Sequence, residues 1–205
     1  MEHGSQISPR ERILTAVIEC IERDGISNLT TRLIAREAGT NIAAINYYFR
    51  SKDALVSEAL QMSLDHMLED VGALLSDPGR PLQEALREVF LYLVEGAVRF
   101  PGISMANLYS ALVERQYDSP GARAMRQIFR LTANRIAEAY PEKNKEAVQA
   151  LLHQVLSTVL FSMLAPGLFQ PVMPVDFDSE EGRRFFVGHL LNTLETSLET
   201  IPGAF

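Results

Sequence analysis

The stretch TTRLIAREAGTNIAAINYYFRSK, from Thr30 to Lys52, decides the fold. It holds two short apolar-periodic runs, Leu33 to Ala38 and Ile42 to Phe49, separated by Gly39-Thr40-Asn41. Two helices joined by a short turn that contains Gly form a helix-turn-helix. Thr30 is placed to cap the first helix, its hydroxyl accepting from an orphan backbone N–H. Gly39 can take the left-handed conformation that closes that helix at little cost, and Asn41 can cap the second.

The second helix is sided by rotation. At about 100° per residue, Ile42, Ile45 and Phe49 share one face, which is expected to be packed. Ala43, Ala44 and Tyr47 point the other way, with Asn46 and Tyr48 on the flanks. Small residues let a helix backbone sink into a major groove, Ala can touch a thymine methyl, and Asn can pair with adenine. Tyr hydroxyls can reach phosphates. Arg32, in the first turn of the earlier helix, is placed for phosphate or guanine. Lys52 follows Ser51 at the start of the next helix, where its ammonium and the helix N-terminus act on the same anion. The expected DNA-binding set is Thr31, Arg32, Asn41, Ala43, Ala44, Asn46, Tyr47, Tyr48 and Lys52.

At Thr30, Ile34, Ala35, Ala38, Gly39, Ile45, Tyr48, Phe49, Ser51, Lys52 and Leu55 the chain resembles the tetracycline-repressor (TetR) family. The family's pattern, roughly T-x-x-x-I-A-x-x-A-G-V-S-x-x-x-L-Y-x-Y-F-x-S-K-x-x-L, runs through these positions without a gap. Thr40 and Asn41 stand where Val and Ser are usual, and Asn46 where Tyr is usual, which implies a subgroup with its own operator. The resemblance implies a helical body behind the DNA-binding head, dimerisation, and a small-molecule effector that releases a palindromic operator. A long helix after Ser51 would carry the signal.

Charge is distributed in keeping with that reading. The net charge is −7, but residues 1–55 carry seven Arg/Lys and seven Asp/Glu. The remainder therefore holds all of the excess negative charge. Thr30 to Lys52 is locally basic, with Arg32, Arg36, Arg50 and Lys52 against Glu37. A basic tip beside an acidic body is the asymmetry expected of a DNA-binding regulator. The single Cys fits a reducing cytosol, and the N-terminus has no apolar signal region. No uninterrupted apolar run of about 18 residues exists, so no membrane span is expected. The expected location is cytoplasmic.

The rest of the chain reads as helices separated by Pro- and Gly-containing breaks, giving an all-α fold of about nine helices. Residues 1–55 are expected to form the head and 56–205 the effector-binding and dimerisation body. Ser8-Pro9-Arg10-Glu11 is a capping box that starts a helix ending near Asp24; residues 1–7 are expected to be disordered. A long helix follows from Ser51 to Ser76, then one from Leu82 to about Phe100, stopped by Pro101-Gly102. The next are expected from Ser104 to about Arg115, from Ala122 to Tyr140, and from Pro141 to Leu164. Met163 to Asp178 reads as a loop before a last helix near Glu180 to Thr200.

Two late stripes are broad. Leu152, Val155, Leu156 and Val159 form one, and Leu190, Leu191 and Leu194 the other. Such stripes on two antiparallel helices suit a four-helix dimer interface, which the resemblance also implies; the alternative is an internal core. In the middle helices, Phe90, Met105, Tyr109 and His153 are the expected effector-binding residues, with Asn107 and Glu114 as further polar candidates. Met and aromatic residues at helical spacing are more often core, and a histidine there can equally be packed at a core or interface. The effector would be lipophilic and no cofactor is expected. Cys20 is expected to pack. Asp65, His66 and Glu69 are more often a solvated face than a metal site. Gly102-Ile103-Ser104-Met105-Ala106 loosely resembles a nucleophile elbow but lacks the second Gly and a preceding strand, so an enzyme is not expected. An activator or architectural DNA-binding protein without an effector is the remaining alternative.

Overall fold

A computed structural model describes residues 8–169, 172 and 175–203. The expectation for residues 1–7 lies outside them. The described fold is all-α, with ten helices rather than about nine: α1 Pro9–Asp24, α2 Thr31–Glu37, α3 Ile42–Tyr48, α4 Lys52–Ser76, α5 Leu82–Arg99, α6 Pro101–Leu112, α7 Pro120–Ala139, α8 Lys145–Leu164, α9 Pro166–Phe169 and α10 Glu180–Thr200. The additional one, α9, is a single turn inside the segment read as a loop.

The head begins as the sequence implies. The Ser8 hydroxyl accepts from the Glu11 N–H while the Glu11 carboxylate accepts from the Ser8 N–H, closing the capping box. Ile13, Leu14, Val17 and Ile21 of α1 then meet Ile34 and Ala35 of α2, Ile45 and Phe49 at α3, and Leu55 and Ala59 of α4 in one buried cluster. Cys20 is fully buried among them, and burial pushes its thiol pKa up. The head's core does not close at residue 55, because Ile103 and Ala106 of α6 also enter it.

The body has a second core. Val71 and Leu75 of α4, Leu86, Val89, Phe90 and Val94 of α5, Ile128 and Ile136 of α7, and buried residues of α8 and α10 fill it. α8 is long and apolar enough to cross a membrane, yet it packs against α5, α6, α7, α9 and α10. It is a core helix with one side left open.

Two helix starts differ from expectation. α5 ends before Pro101-Gly102 as expected, at Arg99, but the next helix starts at once: Pro101 occupies the first position of α6, three residues before Ser104. Its missing N–H is an orphan at that position anyway. The chain bends by 100° between α5 and α6. Conversely, Pro141 lies in a turn, and α8 starts later at the Asn144 cap.

Candidate nucleic-acid interface and body cavity

The reading helix is set by its own sequence. The Thr30 hydroxyl accepts from the Leu33 N–H at 3.1 Å and starts α2. Gly39, at φ +60°, turns the chain, and the Asn41 amide oxygen accepts from the Ala44 N–H at 2.8 Å to start α3. Ser51 caps α4 in the same way. Ile45 and Phe49 anchor α3 against the head's core, and Asn41, Ala43, Asn46, Tyr47 and Tyr48 are left exposed, with Ala44 half-buried. Tyr47 is 82% exposed and its ring meets that of Tyr48 edge-on at 5.1 Å.

Ile42 departs from expectation. It is 41% exposed. The packed face is centred on Ile45, and Ile42 sits about 60° round from it on the first turn, at the rim. It therefore joins Ala43, Asn46 and Tyr47 in one outward stripe, a methyl-rich surface that rotation from Ile42 alone misses.

The surrounding charges are sorted. Arg10 is paired with Glu58, and Arg23 with Asp24 and Glu37. Arg32 and Arg36 share one exposed side of α2, and Arg50 follows α3; no ion pair among the described residues uses any of them. Thr31, at the start of α2, is half-buried. The Lys52 ammonium donates to the Leu29 carbonyl at 3.1 Å, which holds it beside the N-terminus of α4. It retains two further donors for an anion. Unspent positive charge therefore flanks α3.

Residues 13–59 match the family described as bacterial regulatory proteins, tetR family. The head of this chain is a TetR-family helix-turn-helix segment. Among curated relatives, the regulator BetI of Stenotrophomonas maltophilia is 29% identical over 80 residues, 39% of this chain and 41% of that protein. This match thus spans well under half of that relative's length. The nucleoid occlusion factor SlmA of Vibrio cholerae is 26% identical over a wider span, 76% of this chain and 84% of that protein. Among solved structures, the FadR repressor of Thermus thermophilus, in complex with lauroyl-CoA, superposes with a TM-score of 0.60 at 21% identity, covering 92% of this chain and 94% of that one. It shares the fold.

Behind the TetR-family head, the body carries a half-open cavity of about 480 Å³. Its wall is largely apolar and includes Met67 of α4, Leu93 of α5, Leu108 of α6, Phe129 of α7 and Leu156, Leu160 and Met163 of α8. His153 lines it, as do Asn107 and Arg126. The Asn107 amide oxygen is buried without a hydrogen-bond partner. The four expected effector-binding residues are not brought together. Phe90 is fully buried in the body core, and Met105 lies 40% exposed on the outside of α6. Tyr109 and Glu114 line a different, more polar cleft of about 470 Å³ between head and body, which Lys52 and Asp53 also line. Only His153 of the four borders the apolar cavity. The residues missed, such as Phe129 and Leu160, carry no signal that separates them from ordinary core.

The broad stripes of α8 and α10 are placed inward. Leu152, Val155, Val159, Leu190, Leu191 and Leu194 are buried by the chain itself, and Leu156 is half-buried against the same core. A single copy already covers these side chains, because α8 is packed from several directions. The exposed side of α8 carries Gln149, Ala150, His153, Gln154, Ser157, Thr158 and Phe161 instead. No Asp, Glu, Lys or Arg occurs from Ala147 to Leu164, or from Phe185 to Leu194 on the neighbouring α10.

Proposed function

We propose that this chain is a dimeric, ligand-responsive transcriptional repressor. In this reading α3 enters the major groove of a palindromic operator, and a lipophilic effector in the body cavity releases it. The observation that carries the reading is the outward stripe of α3, flanked by the unpaired Arg32, Arg36 and Arg50. Ile42 and Ala43 offer methyl contacts to thymine, Asn46 an amide to adenine, and Tyr47 a hydroxyl to phosphate or base. Thr31, Arg32, Asn41, Tyr48 and Lys52 hold the head on the backbone, and the small Ala44 lets the helix approach the groove closely.

Dimerisation is supported by the uncharged stretches 147–164 of α8 and 185–194 of α10, where Phe161 and Phe185 are 50% and 62% exposed. Charged residues are depleted where interfaces are buried. Two heads then meet two half-sites about one helical turn apart. The effector is supported by the cavity's size, which lies within the usual range for small-molecule sites, and by its apolar wall. The lauroyl-CoA held by the Thermus thermophilus FadR favours an acyl chain as the apolar part.

A second reading follows from the likeness to a nucleoid occlusion factor over 76% of this chain: a DNA-bound protein with no effector. Gel shifts on the DNA flanking the gene, with and without lauroyl-CoA and a series of fatty acids, separate the two. Release of the shifted band by an acyl ligand supports the repressor. Binding that persists unchanged while an acyl ligand occupies the cavity contradicts it.

A further inference from the structure

α6 has an unusual start. The residue before it, Phe100, offers no side-chain acceptor, and Pro101 has no N–H. The first free donors are the N–H groups of Gly102 and Ile103. Both are taken by one carboxylate from the head: Glu22 near the end of α1 accepts from Gly102 at 3.2 Å and from Ile103 at 3.0 Å. The approach is close enough to require glycine. A Cβ on Gly102 would lie 2.9 Å from the Glu22 Cα and 2.9 Å from the Ile21 carbonyl oxygen. The negative carboxylate also sits at the positive end of the α6 dipole.

The faces of α6 divide between the two parts of the molecule. Gly102, Ile103 and Ala106 look toward the head, the last two inside its core. Ser104, Asn107 and Leu108 line the apolar cavity. At about 100° per residue the two sets occupy adjacent arcs, and Met105 faces out. Whatever presses on the cavity side of α6 moves a helix whose first turn is fastened to α1. α1 in turn packs against α2, on which α3 rests.

We propose that Glu22 is the latch through which α6 transmits occupancy of the body cavity to the DNA-reading head. It is a positioning residue: it touches neither DNA nor ligand, and it acts by making α1 follow α6. α4 also joins the two parts, with Glu58 paired to Arg10 of α1 and Asp70 accepting from the Tyr92 hydroxyl of α5, but neither contact involves α6. The latch adds a directional, charge-assisted tie at α6, which like α4 both borders the cavity and enters the head's core. This inference rests on the cavity being the effector site.

The test uses the full chain and fills the cavity in two ways: by Ser157→Phe on α8, and by titrating lauric acid. Amide hydrogen exchange is followed in α1 to α3 and in α6, and a DNA fragment that the wild type binds reports affinity. With Glu22 in place, filling by either route raises exchange in the last turn of α1 and lowers DNA affinity. With Glu22→Ala, filling still changes exchange in α6, but the effect on DNA affinity shrinks about tenfold, within the usual span of allosteric coupling. Glu22→Gln, which keeps one acceptor oxygen, restores part of it. Gly102→Ala, which lifts α6 off α1, behaves like Glu22→Ala. Equal coupling with and without Glu22 overturns the latch. A filled cavity that leaves α1 and DNA affinity unchanged even with Glu22 in place overturns it too, and with it the effector reading.

Discussion

In the head, helix starts carry their own caps: Ser8, Thr30, Asn41 and Ser51 each accept from a backbone N–H three residues on. In the body, α5 and α6 begin at Pro81 and Phe100 with no side-chain cap at all. α6 borrows its cap from Glu22, about eighty residues away in sequence. The head's helix starts are therefore set by local signals, as are those of α7, α8 and α10 through Ser119, Asn144 and Ser179, whereas the start of α6 depends on a contact that exists only once the chain is folded. A helix that must hold a fixed face to DNA gains from local definition. A helix that must respond to a ligand gains from being held by its neighbours.

Glycine substitutions break this comparison most sharply. Gly121, at the start of α7, faces the α6 backbone, and a Cβ there would fall 1.8 Å from the Asn107 carbonyl oxygen. Backbone cannot yield as a side-chain tip can, so Gly121→Ala is expected to cost more than about 3 kcal/mol, the upper end of overpacking penalties. Gly39→Ala in the head meets open space and carries only the left-handed penalty of about 1–2 kcal/mol. Urea unfolding of the two variants checks the order. A milder loss at Gly121 than at Gly39 would mean that α6 and α7 are free to separate.

Next in size is Leu152→Ala on α8. Its side chain is fully buried in the body core, so the loss is about 2–5 kcal/mol of chain stability. Thr158→Glu, on the exposed side of the same helix, is expected to leave the body's helices intact and shift the protein toward monomer. Sedimentation combined with thermal melts distinguishes the two sides. Dissociation by Leu152→Ala with no loss of chain stability would return that leucine to the interface. The smallest expected effect is Asn41→Ala. Losing the α3 cap costs about 0.5–2 kcal/mol, with exchange rising first at Ala44.

The same contrast explains what can be read from the residues alone. Thr30, Gly39 and Asn41 act within four residues of themselves, so the helix-turn-helix is legible in sequence, apart from Ile42 at the rim. The start of α6 is not, because Pro101-Gly102 reads as a stop when its cap lies in another helix. The inner stripe of α8 is visible, but its partner is not: Leu152 and Val155 fit either a second copy or the chain's own α5 and α10. Cavity walls are the least legible, since Phe129 and Leu160 differ from core residues only in lining the cavity.

The central claim is that the outward stripe of α3 reads DNA. Fluorescence anisotropy with a labelled fragment from the DNA flanking the gene tests it most directly, comparing wild type with Tyr47→Ala. Because Tyr47 is 82% exposed and supports no core contact, the account predicts at least about a tenfold loss of affinity, the effect of one good contact, with the melting temperature unchanged. Undiminished affinity in a folded Tyr47→Ala protein, with DNA-dependent protection mapping away from α3, would contradict it.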